Sequence, residues 1–233
     1  MNKITPFLFF LFSFPLNTFG ASSSIDLKQV QIDLSNKASL QRGAKIYVNN
    51  CLGCHTLKYQ RYVKLIDHLD LDKSTIEENL IFTADQNGEK TKIGSLMLNA
   101  VNISHIKEAF GVVPPDLTLI ARSRGSDWLY TFLLSFYKDE TRPLGANNSL
   151  YQNVNMPHVL WWMEGVKEPT DNQLKNFKYI SSGSMSVDEY EKSIGDLVNF
   201  LTYVSEPAKL ERYKIGFWVV LFLVFFAFVA YLL

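Results

Sequence analysis

The chain has 233 residues, of which 47% are apolar, and Lys+Arg equals Asp+Glu at 23 each, so the net charge is zero. That length suits one domain of ordinary size with appendages. Without a basic surplus to meet phosphates, nucleic acid is excluded as a partner.

The N-terminus reads MNKITPFLFFLFSFPLNTFGASSS. Lys3 precedes an apolar run from Ile4 to about Phe19, and Gly20, Ala21 and Ser22 follow, which is the pattern of a secretory signal peptide over residues 1–20. The run is too short, and too interrupted by Pro6, Pro15 and Asn17, to read well as a span; an uncleaved anchor is the alternative. Export places residues 21–208 outside the cytosol. Residues 22–35 form a polar leader. Residues 39–50 are predicted helical, with Leu40, Ala44 and Tyr47 on one face. Next come Cys51 and Cys54, the two cysteines of the chain, with His55 directly after them. Residues 63–79 are mixed and acidic. A turn is expected over residues 85–92, signalled by Asn87 and Gly88.

Pro114 and Pro115 break the chain again. Residues 117–137 carry a mostly helical pattern, interrupted at Gly125. Residues 139–157 are polar and rich in Asn, Pro and Gly, so they are predicted irregular, and residues 165–184 read as another loop. A last amphipathic helix then starts: Ser186 with Glu189 makes a capping box, and Met185 with Tyr190 the matching hydrophobic staple. Val187, Tyr190, Ile194, Leu197, Val198, Leu201 and Val204 recur at helical spacing. Pro207 ends or kinks this helix. No repeat and no sustained strand alternation is visible.

Residues 215–233 hold no charge, a length that crosses a bilayer as a helix. Phe217, Trp218 and Tyr231 lie near its ends, as interfacial anchors do. Residues 209–233 are therefore expected to anchor an exported domain. Lys209, Arg212 and Lys214 before the span would alone put that domain in the cytoplasm. A large domain led by a signal segment translocates largely regardless of such flanking charge, so the exported orientation is kept.

Three readings compete for the cysteines. A disulfide is permitted outside the cytosol, but two cysteines three apart close a tiny loop with little entropic gain. A thioredoxin-type redox pair wants a βαβ context that the pattern lacks. Covalent haem attachment is the reading specific to C-x-x-C-H: two thiols add to two vinyl groups and the next residue reaches the iron. His55 then supplies the proximal imidazole. Zinc is poorly served by two thiolates and scattered histidines. For a second axial group the candidates are Met97, Met156, Met163, Met185, His68, His105 and His158. Met185 is explained by the staple, and Met97 and Met163 read as packing. Met156 stands in NVNMPHV, where Pro157 keeps it out of a helix and stiffens its loop. His158 is its main rival.

CLGCHTLKYQRY, PPDLTLIARSRG, NMPHVLW, and SMSVDEYEKSIGDLVNFLTYVSEP before the C-terminal span, in that order, resemble the cytochrome c1 family. The resemblance covers nearly all of the chain after residue 20. CLGCH alone says c-type cytochrome; PPDL-x-x-I-x-R and SEP before a span are more specific. The resemblance implies a mainly α, class I cytochrome c-like haem domain with long loops and one C-terminal transmembrane helix. It implies one haem c on thioether links to Cys51 and Cys54, with His55 and Met156 as axial ligands. It implies Arg122 beside a haem propionate, and Pro114 and Pro115 along the haem edge. Gly43 and Tyr47 would pack the first helix on residues 197–201. The sequence stops at Leu233 directly after the span, so nothing is carried over about contacts on the far side.

A six-coordinate His/Met haem offers no open substrate site, and methionine ligation raises the potential. The expected role is electron transfer without enzymatic activity of its own. By resemblance, electrons pass from a Rieske iron–sulfur protein to cytochrome c, beside cytochrome b, in a bacterial inner membrane with the haem domain in the periplasm. Alternatives are another anchored monohaem cytochrome feeding an oxidase, and an open-site haem enzyme or sensor. The acidic stretch DHLDLDKSTIEE, with Asp67, Asp70 and Asp72, is expected near the haem edge, where it would steer a basic cytochrome c.

Overall fold

The computed structural model describes residues 26–84 and 87–233. The proposed signal peptide lies outside the described residues. Two helices organise the core. The first, α1, spans Lys37–Asn50, and Asn36 caps it by accepting a hydrogen bond from the Ser39 amide. It buries Leu40, Ala44 and Tyr47, the face read from its period, together with Gly43. The partner helix, Val187–Ser205, starts at the expected capping box between Ser186 and Glu189. It buries Tyr190, Ile194, Leu197, Val198, Leu201 and Val204, while Val187 is exposed on the first turn, unlike the rest of its stripe.

The two helices touch at Gly43. A Cβ there would lie 2.1 Å from the Asp196 carbonyl oxygen and 2.6 Å from Phe200 Cβ. Only glycine lets the backbones approach this closely. Arg42 flanks the contact with a two-pronged bond to Asp196, at 2.5 and 2.9 Å, and the Tyr47 and Phe200 rings lie 5.9 Å apart.

Shorter helices build around this pair: α2 (Lys64–Leu69), α3 (Lys73–Asn79), α4 (Ile103–Phe110), α5 (Ile120–Arg124), α6 (Ser126–Leu134) and α7 (Trp161–Glu164). The long capped helix Val187–Ser205 is α8, and Lys209–Leu232 is α9. Gly125, at φ +92°, breaks α5 from α6 where the interruption was expected. The described part of the polar leader, from Asp26 on, is tied down. The Lys28 amide donates to Thr131 Oγ1, the Val30 amide to Asp127 Oδ1, and Asn199 bridges the Asp33 backbone to Ser39.

Short strands are present although no sustained alternation marks them in the sequence. Among the described residues three two-stranded antiparallel sheets form: β1 (Leu57–Arg61) with β2 (Leu96–Met97), β3 (Phe136–Lys138) with β4 (Ala146–Asn148), and β5 (Gly165–Pro169) with β6 (Phe177–Ser182). The irregular stretch 139–157 thus contains a strand, and the loop 165–184 is a hairpin. Neither strand shows an apolar alternation. In β5 the buried side chain is Lys167, and in β4 all three residues are buried, Asn147 and Asn148 beside Ala146. The fold stays mainly α, and Pro207 separates α8 from α9. No side chain of α9 is buried against the rest of the molecule. Its 24 residues rise about 36 Å, enough to cross a bilayer.

Candidate functional site

The cysteine motif begins where α1 ends. The Cys51 amide still donates to the Tyr47 carbonyl, and the Cys54 and His55 amides both turn back to the Cys51 carbonyl, at 3.0 and 2.8 Å. The buried Tyr47 hydroxyl donates to the His55 carbonyl at 2.6 Å. The turn is thereby held from inside the core, with Cys51 buried and Cys54 exposed. Both cysteines are free. Burial, then the neighbouring Cys54, pushes the Cys51 thiol up to about 12.

The PPDL segment closes over this turn. His55 Nδ1 lies 2.8 Å from the Pro115 carbonyl. A carbonyl can only accept, so Nδ1 carries the proton and Nε2 keeps its lone pair. This is the arrangement of a metal-binding histidine whose second nitrogen is held by a carbonyl. Burial lowers the imidazole pKa and favours that neutral form. Asp116 fixes Pro115 in place. Its carboxylate accepts from the Thr56 hydroxyl (2.6 Å), the Lys58 amide (2.8 Å) and the Thr118 amide (3.0 Å), and the Leu117 amide donates to the Thr56 carbonyl. Burial would raise the Asp116 pKa, but the bonds from Thr118, Thr56 and Lys58 outweigh it and hold the carboxyl below its ordinary value.

A cavity of about 450 Å³ opens beside these groups, within the size range of cofactor sites. Cys51, Cys54, His55, Pro114, Pro115 and Met156 all line it. Of the axial candidates only Met156 does. His158 stacks on Phe136 at 5.2 Å and points Nε2 to within 2.9 Å of Glu164. His68 pairs with the Tyr203 hydroxyl at 2.7 Å, and His105 is exposed on α4. Met97 and Met163 are core residues, and Met185 lies 3.6 Å from Ser193 Oγ. The free thiol pair, the oriented imidazole, the thioether and the apolar walls all fit a covalently held haem.

Other wall residues were not anticipated. Trp128 and Phe132, one turn apart on α6, stack at 5.1 Å, and Leu197 and Leu201 of α8 face the same space. The expected buried stripe of α8 could have pointed to the last two. Arg124 also lines the cavity, with its guanidinium 5.2 Å from the Trp128 ring centre. Arg122 lies outside the lining, its guanidinium 3.8 Å from Glu206.

The acidic stretch is displaced from where the sequence put it. None of its residues lines the cavity. Its helix α2 is bonded to the far end of α1, where Lys37 Nζ donates to the His68 carbonyl and Gln41 Nε2 to the Leu69 carbonyl. Asp72 caps α3 through the Thr75 amide and hydroxyl at 2.7 Å each.

Residues 29–233 match the Cytochrome C1 family. Cytochrome c1 of Allochromatium vinosum is 43% identical over 233 residues, covering 96% of this chain and 93% of that protein. The ammonia monooxygenase gamma subunit of Nitrosomonas europaea is 41% identical over 220 residues, covering 92% and 90%. Among solved structures, a hyperthermophilic respiratory Complex III chain aligns at a TM-score of 0.44 and 16% identity, over 97% of this chain and 90% of that one.

Proposed function

The chain belongs to the cytochrome c1 family, and on that premise we propose that it is the membrane-anchored haem subunit of a cytochrome bc1 complex. In this reading Cys51 and Cys54 would hold one haem c, His55 and Met156 would ligate its iron, and the chain would pass electrons from a Rieske iron–sulfur protein to cytochrome c, beside cytochrome b. The observation that carries the reading is one cavity lined by both free thiols, the carbonyl-oriented His55 and Met156.

When bound, the haem supplies a one-electron couple. The chain's own residues do the rest. Pro115 and Asp116 keep His55 in the tautomer whose Nε2 can ligate. Met156 would supply the second iron ligand and so leave no position for substrate, as befits a carrier with no catalytic site of its own. Pro114, Pro115, Phe132 and Leu197 exclude water from the cofactor, and that, with the thioether ligand, raises the potential. Arg124 on the lining and Arg122 near it offer cations to the propionates. The motif residues sit in the exported portion, residues 21–208, and α9 holds that portion to a bacterial inner membrane with the haem domain in the periplasm.

Denaturing electrophoresis tests the attachment: a haem-stained band should remain at this chain's size. Extraction of all the haem by acid–acetone would overturn it. Met156→Ala should abolish the sulfur-to-iron charge-transfer band and lower the potential while haem stays attached. A second reading comes from the Nitrosomonas relative: the same anchored domain serving as an ammonia monooxygenase subunit. The proteins that co-purify from detergent-solubilised membranes separate the two, since the first predicts a dihaem cytochrome b.

A further inference from the structure

The segment that carries Met156 has no regular structure and runs along the outer wall of the cavity. Something must hold it against the opening that would withdraw Met156 from the cavity. On one side packing cannot do so: a second cavity, of about 310 Å³, lies between α4 and this segment, lined by Phe110, Gly111, Arg142, Val154 and Asn155. What spans that side is the β3–β4 hairpin. Its tip is a tight turn in which the Arg142 amide donates to the Asp139 carbonyl and the Gly145 amide to the Arg142 carbonyl.

From that tip the Arg142 guanidinium reaches the segment three times. Nη1 donates to Asn153 Oδ1 at 3.2 Å, and Nη2 donates to the Asn153 carbonyl at 3.1 Å and to Asn155 Oδ1 at 3.2 Å. Asn153 sits at φ +61°, in the left-handed region that asparagine tolerates better than most residues with a side chain. The same hairpin holds this residue a second time: Asn147 Oδ1 of β4 accepts the Asn153 amide at 2.9 Å. The planar fork of arginine suits a set of convergent oxygen acceptors, which a lysine point charge cannot match.

We propose that Arg142 is a positioning residue for the axial ligand: from the β3–β4 hairpin it clamps Asn153 and Asn155 and so keeps Met156 in the cavity. The clamp rests on the reading of Met156 as ligand. An external ligand reaches the iron only after Met156 leaves, so its apparent affinity measures the free energy of opening this segment.

The test uses carbon monoxide titration of the reduced, full-length holoprotein in detergent, with the charge-transfer band followed in the oxidised form. Arg142→Ala should raise carbon monoxide affinity about tenfold, the factor expected when net hydrogen bonding of this order is lost, and weaken the band. Arg142→Lys should fall between it and the wild type. Arg42→Ala breaks the α1–α8 ion pair and serves as the control; it should lower the denaturation midpoint but leave carbon monoxide affinity unchanged. Should Arg142→Ala not accumulate, Arg142→Lys and Arg142→Gln carry the comparison. If Met156→Ala binds carbon monoxide tightly while the Arg142 variants match wild type, the clamp is overturned and the ligand stands. An equal rise in Arg42→Ala would mean general loosening and would also overturn it. If Met156→Ala changes nothing, the ligand assignment falls first.

Discussion

Orientation of His55 depends on a carboxylate that never touches it. Asp116 accepts bonds from Thr56 and Lys58, just after the motif, and from the Thr118 amide of its own segment, and Pro115, its neighbour, presents the carbonyl that holds His55 Nδ1. Because its folded pKa is lowered, Asp116 contributes stability in full above its unfolded value, about 3.9, and that contribution is lost as pH falls through the lower folded value. Asp116→Asn should therefore be less stable than wild type near neutrality. The two denaturation curves should converge as the pH drops below about 3.9. Equal stability at neutral pH, or a gap that widens in acid, would refute the latch. The sequence carried half of this site. Cys51, Cys54 and His55 were legible from spacing, and Met156 from the proline after it. The latch was not, because Thr56 and Asp116 stand in separate motifs 60 residues apart and nothing in either shows that the fold joins them. Arg142 was hidden for the same reason.

Elements divide by what they bury. Helices α1 and α8 bury apolar stripes, so their period announced them, down to the capping box at Ser186. Hairpin β5–β6 buries Lys167, whose ammonium donates to the Leu134 carbonyl at 2.7 Å and pairs with the buried Glu164. A charge at an inward position erases the alternation by which a strand is recognised. The α1–α8 contact also makes the sharpest stability prediction. Gly43→Ala inserts a methyl into backbone and Cβ atoms that cannot swing away. It should cost about 3 kcal/mol, the upper end of overpacking penalties, measured by denaturant unfolding of the holoprotein. A neutral or stabilising result, as ordinary helix propensity would give for this change, would mean that the helices separate more easily than their contact implies. The same variant should disturb the haem spectrum only slightly, because Gly43 lies two turns before Cys51.

At the scale of the molecule, charge and geometry disagree with the docking face that the sequence suggested. The acidic stretch follows the motif by only a dozen residues, which is why proximity in sequence was read as proximity in space. Strand β1 instead carries the chain away from the cavity, and α2 attaches at Lys37 and Gln41, roughly 15–20 Å along α1 from Cys51. That distance exceeds the Debye length of about 8 Å at physiological ionic strength. Two of its five acidic groups are also engaged locally: bonds from Ser74 and Thr75 hold Asp72, the helix cap, below the usual carboxylate range, and Glu77 pairs with Lys73 at 3.6 Å. The rim of the cavity is apolar by comparison, with Tyr151, Val112 and Val113 exposed along it. Under the proposed function, stopped-flow electron transfer to a basic cytochrome c across a salt series decides the matter. Neutralising Asp67, Asp70 and Asp72 together should leave the rate and its salt slope unchanged while lowering the stability of α3 through the lost cap. A slower reaction at low salt with a flattened slope would return the docking face to this acidic surface, and would require the electron to enter or leave by a route other than the cavity mouth.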